Sequence, residues 1–184
     1  GMALYLQTKR SLERYESNSC STDVNLNYEA PEKVPLLLLR IWYSLSMRFS
    51  LQADGGARGN PGPAGSGAVV RDESGTPVVE VSAFLGHATN NVAEYTALVL
   101  ALEGLAEKIG ADAKDADVAV EMDSKLVVEQ MKGVWKIKHP GLKPLASRAV
   151  LLSTQFRSVS YAHIPREKNG YADRLANEAM DRGR

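Results

Sequence analysis

From Met47 onward the apolar positions fall into regular periods, and each period predicts an element. Arg48 to Asp54, RFSLQAD, alternates apolar and polar residues, which predicts a strand ending at Asp54. DGGARGNPGPAG then reads as a long Gly/Pro turn region. SGAVVRDESGTPVVEVSAFLG predicts two strands joined by a turn at Asp72–Gly75. From about Val92 to Ile109, Tyr95, Leu98, Leu102, Leu105 and Ile109 recur at three and four residues, the period of an amphipathic helix. DVAVEMD predicts a fourth strand ending at Asp123, Ser124 to Met131 a short helix, and Leu142 to Phe156 another. SVSYAHI predicts a fifth strand, and Gly170 to Asp181 the last helix. A leading antiparallel meander followed by alternating units predicts an α/β fold. Its five-stranded mixed sheet has three antiparallel strands and then parallel additions, flanked by helices.

Residues 1–46 carry none of this regularity. They are polar and aperiodic up to about Pro31, then apolar from Val34 to Leu45, VPLLLLRIWYSL. That run is too short to span a bilayer, has Arg40 in its middle, and lies too far from the start for a signal peptide. No membrane segment is expected, and the default location is the cytoplasm. Residues 1–46 are read as an N-terminal extension before a domain at 47–184. The extension is either a disordered arm, one that packs its Leu/Trp cluster on the domain, or the product of a mis-assigned start with Met47 as the biological beginning. Gly1-Met2 resembles a tag scar before a start methionine.

Composition narrows the picture only a little. The chain has 184 residues, 44% hydrophobic and 24% charged, ordinary values for one globular domain with a tail. Twenty-two Lys and Arg balance 22 Asp and Glu, so any nucleic-acid footprint has to be local rather than carried by bulk charge. A single cysteine, Cys20, excludes an internal disulfide and fits a reducing compartment.

Four acids stand where ordinary structural roles are available. Asp54 precedes Gly-Gly, as turn aspartates do. Glu94 lies three residues after Asn91, the spacing of a capping box. Asp123 is at a strand-to-helix junction, an N-cap position. Asp173 is in a first helical turn, where negative charge suits the dipole. Together they read differently, because two close strands and two open helices. In an α/β sheet those ends gather at one edge, where ligands bind. Four carboxylates there raise one another's pKa unless a cation neutralises them. Their hard oxygens, with no His/Cys cluster, favour magnesium over zinc. Two such ions about 4 Å apart can activate a water and stabilise the leaving oxygen of a phosphodiester.

DGGARGNPGPAGSGAVV (Asp54–Val70), TNNVAEYTAL (Thr89–Leu98), MDSKLVVEQM (Met122–Met131) and HIPREKNGYADRLANEA (His163–Ala179) resemble, in order and spacing, the signature blocks of type 1 ribonuclease H. The resemblance runs from Met47 to Met180. It implies a magnesium-dependent endonuclease, with manganese as a substitute, that hydrolyses the RNA strand of RNA–DNA hybrids and leaves 5′-phosphate and 3′-hydroxyl ends. The family's catalytic carboxylates fall on Asp54, Glu94, Asp123 and Asp173. Asp54 is expected to bridge both metals, Glu94 and Asp123 to serve the leaving-group side, and Asp173 the attacking water. His163 matches the family's mobile histidine, which moves protons or helps release product; the alternative is a polar residue closing an edge strand.

Substrate contacts are implied for Arg58, Gly59 and Asn60 in the glycine-rich turn, for Thr89, Asn90 and Asn91, and for Asn169. A turn without bulky side chains approaches the sugar edge where 2′-hydroxyls are read. Asn90 and Asn91 match the family's minor-groove asparagines, and Thr89 at a helix start suits a DNA phosphate, with helix capping as the alternative for one of the three. Lys132, Lys136, Lys138, Lys143 and Arg148 form a basic run with Trp135 inside it. That run is either a solvated face or a phosphate-tracking surface with Trp135 against a deoxyribose. The basic protrusion that many members insert here does not fit in this chain. The implied partner is a hybrid duplex, bound by a monomer. The alternatives are a DNA nuclease of the same fold, a catalytically weak hybrid-binding module, and the nuclease half of a larger fused enzyme. RGNPGPAG and TNN, which serve hybrid recognition, speak against the first.

Overall fold

A computed structural model describes residues 47–183. The extension 1–46, with its apolar run and Cys20, lies outside the described residues. Five strands form one sheet in the order β3-β2-β1-β4-β5. They are β1 (Met47–Ala57), β2 (Gly62–Arg71), β3 (Pro77–Ala88), β4 (Ala116–Met122) and β5 (Ser158–His163). β1, β2 and β3 pair antiparallel, while β4 and β5 add in parallel beside β1, so the mixed sheet is as expected. The helices are α1 (Asn90–Ile109), α2 (Lys125–Met131), α3 (Lys143–Ser153) and α4 (Gly170–Arg182).

The core follows from the alternation in the sequence. Phe49, Leu51 and Ala53 of β1 and Val118, Val120 and Met122 of β4 face the stripe Tyr95, Leu98, Leu102 and Leu105 of α1. Ala146, Ala149 and Leu152 of α3 close that layer against α1. α4 covers the opposite face through Ala172, Ala176 and Ala179. β2 is therefore covered on both sides, and Ala64 through Val70 are all buried.

Several boundaries differ from the sequence reading. β1 does not end at Asp54 but runs on to Ala57, with Asp54 opposite Gly67 and Gly56 opposite Gly65. Most of the Gly/Pro region is thus strand, and only the residues between Ala57 and Gly62 turn. Glycine is needed there for packing: a Cβ on Gly55 would overlap the Ala93–Glu94 backbone of α1, and one on Gly67 would overlap the Ala172 carbonyl of α4. α1 begins at Asn90, two residues before the predicted start, because Thr89 caps it by accepting from Val92 N at 3.4 Å. α3 is shorter than expected; a 3₁₀ turn at Pro140–Leu142 precedes it and Thr154 ends it.

Candidate active site

The parallel strands β1, β4 and β5 end at one edge. Pairing of β1 with β4 stops at Gln52 and Glu121, so Asp54 and Asp123 lie just past the shared ladder. The tight approach of Gly55 to Ala93–Glu94 brings the start of α1, and Glu94 with it, against the same stretch of β1. Asp173 arrives on the first turn of α4, whose first backbone bond runs from Asp173 N to Asn169 O.

Each acid has its own hydrogen-bond partners. Glu94 accepts a 2.7 Å hydrogen bond from Ser124 Oγ, so it does not complete a capping box with Asn91. Ser124 also caps α2, which leaves Asp123 free of the capping role. Asp123 Oδ1 instead accepts from Asn169 Nδ2 at 2.7 Å. Asp54 Oδ1 accepts from the Gly55 amide at 2.7 Å. Asp173 takes Arg166 Nη2 on one oxygen at 2.8 Å and Asn177 Nδ2 on the other at 3.1 Å.

The electrostatics show the acids sensing one another. Burial, and then the charge of Asp123, push the Asp54 carboxyl up to about 6; the Gly55 amide and Arg166 pull the other way. Burial pushes Glu94 up to about 7, with Asp54 and Asp123 adding to it and the Ser124 hydrogen bond opposing. Arg166 is the cation that counters this cluster. Its side chain is 75% exposed, and its ion pair with Asp173 is reinforced by the charges of Asp54 and Asp123.

Among the described residues no three Asp, Glu, His or Cys side chains converge as they would around a bound ion. Asp173 leans to Arg166, Glu94 to Ser124 and Asp123 to Asn169. The donor set still fits a hard divalent cation. It is all carboxylate oxygen, partly buried, with two members whose ionisation is disfavoured until positive charge arrives.

His163 ends β5 opposite Met122, exposed, with Nε2 3.2 Å from the Asp123 carbonyl oxygen. Asn60 Oδ1 accepts from Asn90 N at 3.2 Å, and Asn90 Oδ1 accepts from Ala57 N at 2.8 Å. The glycine-rich turn is therefore tied to the start of α1, with Gly59 at its tip in the left-handed region (φ 88°). Asn91 sits beside this junction on the first turn of α1. Arg58 turns away to an ion pair with Asp181 at the end of α4 (2.6 Å). Thr89 takes the capping role that was the alternative to phosphate contact. Trp135 is 45% exposed, and with Lys136 it follows α2, one short helix from Asp123. Between α2 and α3 the described residues hold only a 3₁₀ turn, so the basic protrusion is absent there. Asn169, expected among the substrate contacts, is completely buried. The sequence also passed over Ser124 and Arg166. Ser124's only signal is its place after Asp123, and Arg166's is a basic residue between His163 and Asp173.

A five-stranded mixed sheet in this order, with carboxylates within β1, just past β4, near the start of α1 and on the first turn of α4, defines the ribonuclease H fold class. A protein-family profile described as reverse transcriptase-like matches residues 52–179. The bifunctional protein Rv2228c of Mycobacterium tuberculosis is 54% identical over 136 residues, which is 73% of this chain and 36% of that protein. Ribonuclease HI of Halobacterium salinarum is 45% identical over 128 residues, covering 70% of this chain and 62% of its own length. The chain thus spans only about a third of the mycobacterial relative. The solved N-terminal RNase H domain of rv2228c from M. tuberculosis superposes with a TM-score of 0.68 at 53% identity, over 73% of this chain and 99% of that one. LC11-RNase H1, solved in complex with an RNA/DNA hybrid, gives 0.69 at 48% identity, over 73% and 98%. The chain belongs to the type 1 ribonuclease H family.

Proposed function

We propose that residues 47–184 form a ribonuclease H catalytic domain that hydrolyses the RNA strand of RNA–DNA hybrids. The observation that carries this reading is the electrostatic coupling of Asp54 and Glu94 to each other and to Asp123, from separate elements meeting at one sheet edge. Family membership and a relative crystallised with a hybrid support the substrate. Asp54, Glu94, Asp123 and Asp173 would hold two magnesium ions, or manganese in their place. Bound there, the ions supply Lewis acidity toward the phosphodiester and neutralise the carboxylates.

The protein's own groups do the rest. His163, exposed beside Asp123, is placed to carry a proton to or from the reacting phosphodiester. The Gly59–Asn60 turn, pinned to Asn90 and flanked by Asn91, offers a narrow polar edge to a wide minor groove bearing 2′-hydroxyls. Trp135 and Lys136 are exposed and would contact the DNA strand, and such phosphate contacts weaken steeply with salt. The domain acts as a monomer in the cytoplasm. Among the described residues no helix is long and apolar enough to cross a membrane.

Attack of water on the phosphorus with cleavage of the P–O3′ bond, the 3′-oxygen leaving as a hydroxyl, gives RNA products with 5′-phosphate and 3′-hydroxyl ends and leaves the DNA strand intact. End-group mapping of the cleaved hybrid checks this. Products with 2′,3′-cyclic phosphates would mean that the RNA's own 2′-hydroxyl attacks, and would sink the reading.

One observation favours a second reading, in which this activity is half of a larger fused enzyme. The similar segment makes up 36% of a protein described as bifunctional, and the solved neighbour is that protein's N-terminal domain.

A further inference from the structure

Asn169 is completely buried, and its single amide nitrogen serves two acceptors. Nδ2 donates to Asp123 Oδ1 at 2.7 Å and to the Ala53 carbonyl, next to Asp54, at 3.0 Å. Its backbone carbonyl accepts the first bond of α4 from Asp173 N at 3.1 Å. One residue thus touches Asp123 directly, the peptide leading into Asp54, and Asp173 itself. The segment carrying it is fixed as well: Asn169 N bonds to Arg166 O, and Gln52 Nε2 donates to Lys168 O at 3.2 Å.

The other half of the amide makes the arrangement informative. Asn169 Oδ1 is buried and has no hydrogen-bond partner among the described residues. A buried acceptor left unpaired costs stability, so a residue chosen for packing alone would not be an asparagine. Nor can a completely buried side chain reach a duplex from where it stands.

We infer that Asn169 is a positioning residue, which sets the orientation of the Asp123 carboxylate and ties it to Asp54 and Asp173 so that the three face the metal site together. This rests on the metal-dependent reading proposed above. Groups that orient a metal's ligands set its affinity, and losing one weakens binding about 10- to 100-fold.

The test is calorimetric titration of magnesium into the protein alone, comparing the parent with Asn169→Ala and Asn169→Ser. Serine retains a donor but is too short to reach both acceptors. The runs are made well below each variant's melting temperature, with hybrid affinity measured separately in chelator. The expected result is magnesium affinity about 10- to 100-fold weaker in both folded variants, with hybrid affinity in chelator within threefold. Parent-like magnesium affinity in either folded variant would overturn the inference. So would weakened hybrid binding with unchanged magnesium affinity, which would restore Asn169 as a substrate contact. If the parent itself binds no magnesium, the metal-dependent reading falls and takes this inference with it. Failure confined to the variants leaves that reading standing.

Discussion

Asp123 has Asn169 on one carboxylate oxygen and His163 on its backbone carbonyl, and its charge raises the pKa of both Asp54 and Glu94. Replacing it tests the site at its most connected point. Asp123→Asn keeps the shape and removes the charge that would hold a metal. It should lower the cleavage rate at least about 10³-fold while leaving hybrid affinity within a few-fold. Single-turnover rates and filter binding measure the two separately, and near-normal turnover would remove Asp123 from the site. The raised pKa values give a second expectation at this scale. Asp54 and Glu94 titrate near 6 and 7 in the folded state, against ordinary values of 3.8 and 4.5. Between those limits the folded chain binds more protons than the unfolded one. Their stabilising contribution is therefore full below the unfolded values and is lost as pH rises through the folded ones. In chelator the melting temperature should fall between about pH 4 and about pH 7, and magnesium should offset the fall. Glu94→Gln should flatten the upper part of the curve. A metal-free melting temperature that climbs steadily across that range would contradict the assignment.

At the scale of elements, the site is assembled by close backbone approach. Gly55 lets β1 touch the start of α1, and Gly67 lets β2 touch the start of α4, so Glu94 and Asp173 reach the strand ends. Gly55→Ala should therefore do more than destabilise. Overpacking of this kind costs about 1–3 kcal/mol, readable in a denaturant titration. It should also displace Glu94 and lower the turnover of the folded protein by at least tenfold. A variant that loses stability but turns over normally would show that β1 and α1 can separate without disturbing the acids. These glycines also explain where the sequence misled. Asp-Gly-Gly and Ala-Gly-Ser-Gly have the composition of turns, and nothing local says that a helix presses on each face of the strand. By contrast, the stripe Tyr95–Leu98–Leu102–Leu105 and the alternation of β4 were legible because their burial repeats within a single element. Asp123 and Asp173 could be found by their places at element ends, and Asp54 and Glu94 by lying a few residues from one. Ser124, Arg166 and the buried state of Asn169 could not, since each acts through a residue distant in sequence or through a loop's path.

For the whole molecule, a formal net charge of zero means that attraction to nucleic acid depends on where the cations stand. Glu103 holds Arg148 in an ion pair and Asp117 holds Arg157, while Lys136, Lys138 and Lys143 remain on the exposed stretch around Trp135. On the proposed reading, phosphate contacts there would hold one strand without reading it, and the turn of Gly59 and Asn60 with Asn90 and Asn91 would read sugars on the other. Neither half would suffice alone. Double-stranded DNA has no 2′-hydroxyls, and double-stranded RNA keeps both strands A-form. The most direct measurement compares initial cleavage rates on an RNA–DNA hybrid, double-stranded RNA and double-stranded DNA of one sequence, at one salt concentration, with magnesium and with excess chelator. The expected result is cutting of the RNA strand of the hybrid alone, abolished by chelator. Equal rates on hybrid and double-stranded RNA, or undiminished cleavage in chelator, would contradict it.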